Sequence, residues 1–264
     1  MASWDPDRYL AFADERSRPF VDLLQRIGGL PATVVDLGCG PGHLSALMRA
    51  RWPACSVLGI DSSAQMIERA RADNSDPEVS YLRADVEDVA TEAWEPGRQF
   101  DLVISNATFQ WIPEQLSLLP RLLGRVRPGG TFAFQVPHNF DAPSHRLLTE
   151  VSSRAPYAAS TQGRLQARGV DAATYLRLLS RPGWQVDAWT TTYLHVLPGD
   201  DAVLRWISAT GARPVLQALD DDLRARFEAE YGAELRKAYP REEIGTVLPF
   251  ERVFVVATDA SRRS

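Results

Sequence analysis

The sequence is poor in cysteine and in lysine. Two cysteines occur among 264 residues, Cys39 and Cys55, and neither belongs to a CxxC pattern or a mixed Cys/His pattern. We therefore expect no disulfide scaffold and no metal site. Lys237 is the single lysine among 29 basic residues. Because arginine has replaced lysine almost everywhere, an arginine at any one position is weak evidence for bidentate recognition of an anion.

Long apolar runs and basic runs are also missing. No stretch of about 18 apolar residues occurs, and the first residues mix acids, arginines and aromatics instead of forming the apolar segment of a signal peptide. We therefore expect a cytoplasmic protein with no membrane partner. The formal net charge is −5 and no basic cluster is present, so nucleic acid is not expected as a partner either.

Short apolar runs alternate with amphipathic segments from Thr33 to Pro137, beginning with "TVVDL", "HLSALMRARW" and "CSVLGI". This alternation predicts an α/β fold, a parallel sheet with helices on both faces. Later, the β-rich "WQVDAWTTTYLHVL" and the strand-like "TVLPFERVFVVATD" are separated by two helical stretches. We predict a helical cap inserted before the last strand. The predicted divisions are an N-terminal helical segment (1–30), a core (31–140) and the cap with the two final strands (141–264).

A glycine-rich loop, "VVDLGCGPG", follows the first predicted strand with the spacing GxGxG through Gly38, Gly40 and Gly42. Glycine there can take positive φ and lets backbone N–H groups approach a ligand closely. The spacing is neither the GK[ST] pattern of a P-loop nor the GxGxxG of a dinucleotide site. For the loop alone, a plain turn between a strand and a helix stays the alternative.

Two acidic residues end the next two predicted strands. Asp61 ends "CSVLGID", where a carboxylate can accept both hydroxyls of a ribose, and Asp85 ends "VSYLRAD", where it can accept the exocyclic amine of an adenine. One such acid is commonly only a helix N-cap. Two at successive strand ends, beside a glycine loop, indicate an adenosine ligand. An oxidoreductase that uses NAD is the alternative, and the GxGxG spacing argues against it.

The segments "VVDLGCGPG", "GIDSS", "RADVED" and "DLVISNATFQW" together resemble the motifs of class I S-adenosylmethionine-dependent methyltransferases. The resemblance implies a Rossmann-like seven-stranded sheet in the order 3-2-1-4-5-7-6, with the last strand antiparallel. It also implies S-adenosylmethionine as cofactor, held at its amino-acid end by Asp36 and the loop backbone. The implied cofactor-binding residues are Asp36, Gly38, Gly40, Asp61, Ser62, Met66, Asp85, Val86, Asn106 and Trp111.

The flanking segments "SNATFQWIPE", "RPGGTFAFQVPHNFDAPSH", "WISATGARP" and "LPFERVFVVA" resemble the trans-aconitate 2-methyltransferase family, and the likeness runs nearly end to end. This resemblance implies an O-methyltransferase that converts one carboxylate of trans-aconitate to a monomethyl ester. Another small carboxylic acid or a secondary metabolite is the alternative acceptor. A non-catalytic binding module of the same fold is a third possibility.

The chemistry of such a reaction indicates which residues to look for. A carboxylate is ionised at pH 7, so methyl transfer needs orientation and a water-poor pocket rather than a general base. The unreactive carboxylates of a small polycarboxylate partner need cationic groups. The candidates for orienting the acid are Arg213, His195, Tyr193, Trp111, Arg16 and Arg252. Each has a structural alternative, which is solvent-facing charge for the arginines and core packing for the rest. We expect a monomer.

Overall fold

The computed structural model describes residues 13–165 and 169–261. Eight strands are assigned in this part of the chain: Thr33–Leu37 (β1), Ser56–Asp61 (β2), Val79–Arg83 (β3), Phe100–Asn106 (β4), Val126–Pro137 (β5), Trp184–Leu197 (β6), Arg241–Glu242 (β7) and Gly245–Asp259 (β8). The helices are Ala13–Arg26 (α1), Ser45–Arg51 (α2), Ala64–Asp73 (α3), Val86–Val89 (α4), Gln115–Leu122 (α5), Pro143–Ser152 (α6), Ala158–Thr161 (α7), Ala172–Leu179 (α8), Ala202–Ser208 (α9), Arg213–Leu216 (α10) and Asp221–Ala238 (α11). Two short 3₁₀ helices are Phe109–Trp111 and Leu123–Arg125.

The sheet has the order β3-β2-β1-β4-β5-β8-β6, and β7 pairs antiparallel with β8. Neighbouring strands from β3 to β5 pair in parallel. Apart from the two-residue β7, this is the predicted order 3-2-1-4-5-7-6. Helices α9, α10 and α11 follow β6 and precede β8 in the chain. The predicted fold class, with a helical insertion before the last strand, is therefore confirmed.

The inner parallel strands β1, β2 and β4 are buried along most of their length. In β1, Val34, Val35 and Leu37 are each at most 1% exposed, which is why this strand has a continuous apolar run instead of an alternating pattern. The register pairs Leu37 with Ile60, and Ile60 with Leu82. Because these strands are parallel and in step, their carboxyl ends meet at one edge of the sheet. This edge is where the glycine loop and the acidic residues follow.

The chain divides into two compact units. Among the described residues, the core unit contains Ala13–Val136, Val170–Thr191 and residues 253–261, and the cap unit contains residues 137–165, Gly169 and Thr192–Arg252. The hydrophobic cluster of the core unit contains, among others, Val35, Phe109, Phe132, Phe134 and Val255. That of the cap unit contains, among others, Trp206, Phe227, Tyr231 and Phe250. Each unit is thus organised around apolar residues of its own.

Polar side chains fix where several helices begin. Ser63 accepts a hydrogen bond from the N–H of Met66 at the start of α3, and Asp171 and Asp220 cap α8 and α11 in the same way. Such caps satisfy backbone donors that the first turn of a helix leaves unpaired. Within the described part of the chain, no helix is both long enough and apolar enough to cross a membrane.

Candidate functional site

The glycine loop after β1 has the left-handed backbone that its sequence predicts. Gly38, Gly40 and Gly42 have φ angles of 76°, 56° and 80°. A Cβ at Gly38 would lie 2.1 Å from the Oγ1 of Thr108, so packing alone requires glycine there. A Cβ at Gly40 would meet no described atom within 4 Å. Gly40 therefore keeps an open space beside the loop, where a ligand can approach the backbone.

Asp61, at the end of β2, joins this loop to the start of the next helix. Its Oδ2 accepts a hydrogen bond from the N–H of Gly40 at 2.9 Å, and its Oδ1 accepts one from the N–H of Ser63 at 2.8 Å. Burial raises the pKa of Asp61, although these two N–H groups favour the ionised form. Each carboxylate oxygen has two lone pairs. Asp61 can therefore still accept the hydroxyls of a ribose while it holds the loop.

Asp36, near the end of β1, is the most unusual carboxylate of the core unit. It is 1% exposed, and neither of its carboxylate oxygens has a hydrogen-bond partner among the described residues. The pKa of Asp36 is raised to about 7, mainly by burial and to a smaller extent by the nearby charge of Asp61. A buried carboxylate without a donor is costly. The α-ammonium of S-adenosylmethionine is a group that would satisfy it, so the residues present fit the predicted cofactor.

Asp85 follows β3 and caps the short helix α4. It is exposed, and its Oδ1 accepts a hydrogen bond from the N–H of Glu87 at 3.0 Å. Asp85 is therefore a helix N-cap, as the structural alternative predicted. The cap engages Oδ1, and a contact of Asp85 with adenine stays a prediction. Of the other predicted cofactor residues here, Val86 and Met66 are buried and Ser62 is exposed.

The end of β4 and the turn after it contact the end of β1 and the glycine loop through the side chains of Ser105 and Thr108, which sequence reasoning missed. The hydroxyl of Ser105 donates to the carbonyl oxygen of Leu37 at 2.6 Å, and Thr108 packs against Gly38. The predicted residue Asn106 accepts a hydrogen bond from the Nε2 of Gln135 at 2.5 Å. The only sequence signal for these contacts is the row of small polar residues in "ISNAT".

Trp111, predicted to contact both cofactor and acid, ends the 3₁₀ helix Phe109–Trp111 of the core unit and is 40% exposed. Single exposed apolar side chains are common on protein surfaces, so this exposure alone assigns no role to Trp111. Arg16 belongs to α1, but its side chain lies outside the described residues. The predicted roles of both residues stay predictions.

In the cap unit, Tyr193 and His195 share one face of β6, as their alternation predicts. They are 3% and 6% exposed, whereas Leu194 between them is 63% exposed. The ring of His195 lies 4.7 Å from that of Trp206 and 6.4 Å from that of Tyr193, measured between centroids. His195 is thus part of a buried aromatic cluster, which agrees with the packing alternative and also places a polar ring in an apolar setting.

Arg252 belongs to the same cluster. Its Cζ lies 4.9 Å from the ring centroid of Phe250, whose ring is 5.9 Å from that of His195. Arg252 is 6% exposed, so the solvent-facing alternative for this residue is wrong. The ring of Phe250 thus lies between Arg252 and His195, and His195 in turn neighbours Tyr193. Arg213 is half-buried at the start of α10.

Metal-dependent chemistry has no candidate site in the part of the chain that the structure describes. There, no group of three or more histidine, cysteine, aspartate or glutamate side chains is arranged to hold a metal ion.

Comparisons with known proteins agree with this geometry. A family model described as a methyltransferase domain matches residues 9–188. A trans-aconitate 2-methyltransferase from Streptomyces coelicolor is 47% identical over 97% of this chain and 86% of its own length. One from Streptomyces avermitilis is 46% identical over 97% of this chain and 96% of its own length.

Solved structures show the same fold. The S-adenosylmethionine dependent methyltransferase from Mesorhizobium loti has a TM-score of 0.52 and 21% identity, and the match covers 92% of this chain and 97% of that one. The plantazolicin methyltransferase BpumL in complex with SAH has a TM-score of 0.53 and 14% identity, with 97% and 91% covered.

Proposed function

The chain belongs to the trans-aconitate 2-methyltransferase family of S-adenosylmethionine-dependent methyltransferases, and from this premise we propose that it esterifies one carboxylate of trans-aconitate. When bound, S-adenosylmethionine supplies an electrophilic methyl group on a sulfonium, which a carboxylate oxygen attacks in line, leaving S-adenosylhomocysteine and a methyl ester. No proton moves in this step. The observation that carries the proposal is the sequence identity of 47% and 46% to two family members over 97% of this chain. The glycine loop and the carboxylates of Asp36, Asp61 and Asp85 are also present.

We assign the cofactor to residues of the core unit. Asp36 would hold the α-ammonium, because its buried oxygens have no donor among the described residues. The open space at Gly40 would admit the ligand to the loop backbone, and Asp61 would accept the ribose hydroxyls. Asp85, Val86, Ser62 and Met66 would surround the adenosine, and Asn106 and Trp111 would face the amino-acid end and the methyl group.

We assign the carboxylates of the acid to cations and donors of the cap unit. Arg252 is buried against Phe250, and a guanidinium in such an apolar setting binds a carboxylate more strongly than it does in water. Tyr193 and His195 would donate hydrogen bonds, and Arg213 would bind a second carboxylate. Arg16 stays a further candidate.

The reaction needs no general base, because the acceptor is ionised at pH 7. The protein instead has to hold a weak nucleophile in line and keep water away from it. The buried aromatic side chains around His195 suit the exclusion of water. That the protein is cytoplasmic and monomeric stays a prediction from the sequence.

Acceptor specificity tests this proposal. The purified protein is given methyl-labelled S-adenosylmethionine and, in parallel, trans-aconitate, cis-aconitate, citrate, tricarballylate and a set of monocarboxylates. We expect kcat/KM for trans-aconitate to exceed that for the monocarboxylates by at least a hundredfold, as the loss of two charge-assisted contacts implies. Turnover of another acid without turnover of trans-aconitate would replace the substrate and keep the reaction class.

A further inference from the structure

The turn after β4 has a backbone conformation that its sequence does not explain. Ala107 has a φ of +56°, in the left-handed region that residues other than glycine seldom adopt. Its N–H donates to the carbonyl oxygen of Gln135 at 2.9 Å. Strained residues of this kind persist only where their surroundings hold them, and they concentrate at functional sites.

Gln110 holds this turn from the following 3₁₀ helix. Its Nε2 donates to the carbonyl oxygen of Ala107 at 2.6 Å. A carbonyl oxygen can only accept, so the carboxamide must present its nitrogen to Ala107. The other carboxamide atom, Oε1, is buried and has no hydrogen-bond partner among the described residues. Gln110 is 6% exposed. Among the described residues, its carboxamide therefore makes only one hydrogen bond, the one that Nε2 donates to Ala107.

Thr108, the residue after Ala107, connects this turn to the glycine loop. Thr108 follows Ala107 directly, and its side chain fills the place beside Gly38 where a Cβ would otherwise lie. Its hydroxyl lies 3.5 Å from the carbonyl oxygen of Gly38 and 3.4 Å from that of Asn106. The position of the loop backbone at Gly38 is therefore coupled to the conformation of the turn.

We infer that Gln110 is a positioning residue for the cofactor: it holds Ala107 in the left-handed conformation, so that Thr108 keeps the glycine loop in its ligand-binding shape. The inference rests on the proposed binding of S-adenosylmethionine and not on the identity of the acid. Gln110 acts through Ala107 and Thr108 and needs no contact with the reacting atoms.

The test compares Gln110→Leu, which keeps the approximate size of the side chain and lacks the donor, with a matched control. The Nε2 of Gln99 also donates to a backbone carbonyl, that of Gly124 at 3.1 Å, but Gln99 precedes β4 at the opposite end of the strand. We expect Gln110→Leu to weaken S-adenosylhomocysteine binding five- to tenfold in calorimetry and to raise KM for S-adenosylmethionine by a similar factor, with kcat changed less than twofold. Gln99→Leu should change the Kd less than twofold.

A second substitution separates positioning from general damage. Ala107→Gly removes the strain of the left-handed conformation, so the turn no longer depends on Gln110. In the double variant Ala107→Gly, Gln110→Leu, binding of S-adenosylhomocysteine should return to within threefold of that of Ala107→Gly alone. If Gln110→Leu does not fold, Gln110→Asn takes its place, since its shorter side chain does not reach Ala107.

Wild-type affinity for S-adenosylhomocysteine in Gln110→Leu would overturn the inference, and so would an equal loss in Gln99→Leu or the absence of any recovery in the double variant. Absence of S-adenosylhomocysteine binding to the wild-type protein is a different result, because it would contradict the proposed function itself.

Discussion

Asp36 should make the free protein less stable as the pH rises. Burial and the charge of Asp61 raise the pKa of its carboxyl from 3.8 to about 7. Between these pH values the folded protein keeps a proton that the unfolded chain has lost. The stability linked to this proton is fully present below pH 3.8 and is lost as the pH rises through about 7. At about 1.4 kcal/mol per tenfold change in proton affinity, the loss amounts to about 4 kcal/mol.

Denaturant unfolding of the wild-type protein and of Asp36→Asn, without cofactor, measures this effect. Asparagine does not ionise, so the unfolding free energy of the wild type should fall relative to that of the variant by about 3 kcal/mol from pH 5 to pH 8. Asp101→Asn is the control. Burial acts to raise the pKa of Asp101, but hydrogen bonds from Thr33 and the charge of Arg127 outweigh it and lower the pKa. The stabilisation that ionised Asp101 contributes is lost only at acid pH. The unfolding free energy of Asp101→Asn should therefore differ from that of the wild type by a constant amount from pH 5 to pH 8.

Cofactor binding should release the proton that Asp36 keeps in the free protein. If the α-ammonium of S-adenosylhomocysteine pairs with ionised Asp36, binding at pH 6 releases about 0.9 proton per protein and binding at pH 8 about 0.1, from the linkage of proton and ligand binding. Calorimetry in two buffers of different ionisation enthalpy counts these protons. A constant stability difference between wild type and Asp36→Asn, together with no proton release at pH 6, would refute the role given to this carboxylate.

Three further substitutions test the assigned residues. Gly40→Ala adds a side chain in open space, so the variant should fold, with a loss of about 1–2 kcal/mol in unfolding free energy for the left-handed backbone. It should bind S-adenosylhomocysteine at least tenfold more weakly. Retained affinity would show that no ligand approaches the backbone at Gly40. Asp61→Asn should weaken the binding of both adenosine and S-adenosylhomocysteine in calorimetry, and an unchanged Kd for both would remove it from the ribose site. Arg213→Ala should raise KM for trans-aconitate roughly tenfold or more and KM for a monocarboxylate much less, whereas equal increases would show that Arg213 is no carboxylate clamp.

The sequence predicts the features that depend on local patterns. The alternation of apolar runs and amphipathic segments predicts a parallel sheet with helices on both faces and the place of the helical insertion, because parallel strands need connecting helices. The strand order is implied by the resemblance to class I methyltransferases. The positive φ angles at Gly38 and Gly40 follow from the spacing of the glycines. The shared face of Tyr193 and His195 follows from the two-residue period of a strand.

Features that depend on contacts between distant segments were beyond the sequence. Thr108 meets Gly38 only because β4 lies beside β1 in the sheet, and no local pattern encodes that contact. The burial of Arg252 also had to come from the structure, because alternation along a strand shows which residues share a face but not which face is covered. The left-handed conformation of Ala107 has no signal in its own side chain.

The identity of the product tests the central claim most directly. The purified protein is incubated with trans-aconitate and S-adenosylmethionine carrying a ¹³C-labelled methyl group, and the product is examined by NMR and mass spectrometry. We predict one ¹³C methyl resonance in the ester region, from a monomethyl ester formed in equal amount with S-adenosylhomocysteine. Binding of S-adenosylhomocysteine without any methylated trans-aconitate would contradict the proposed reaction.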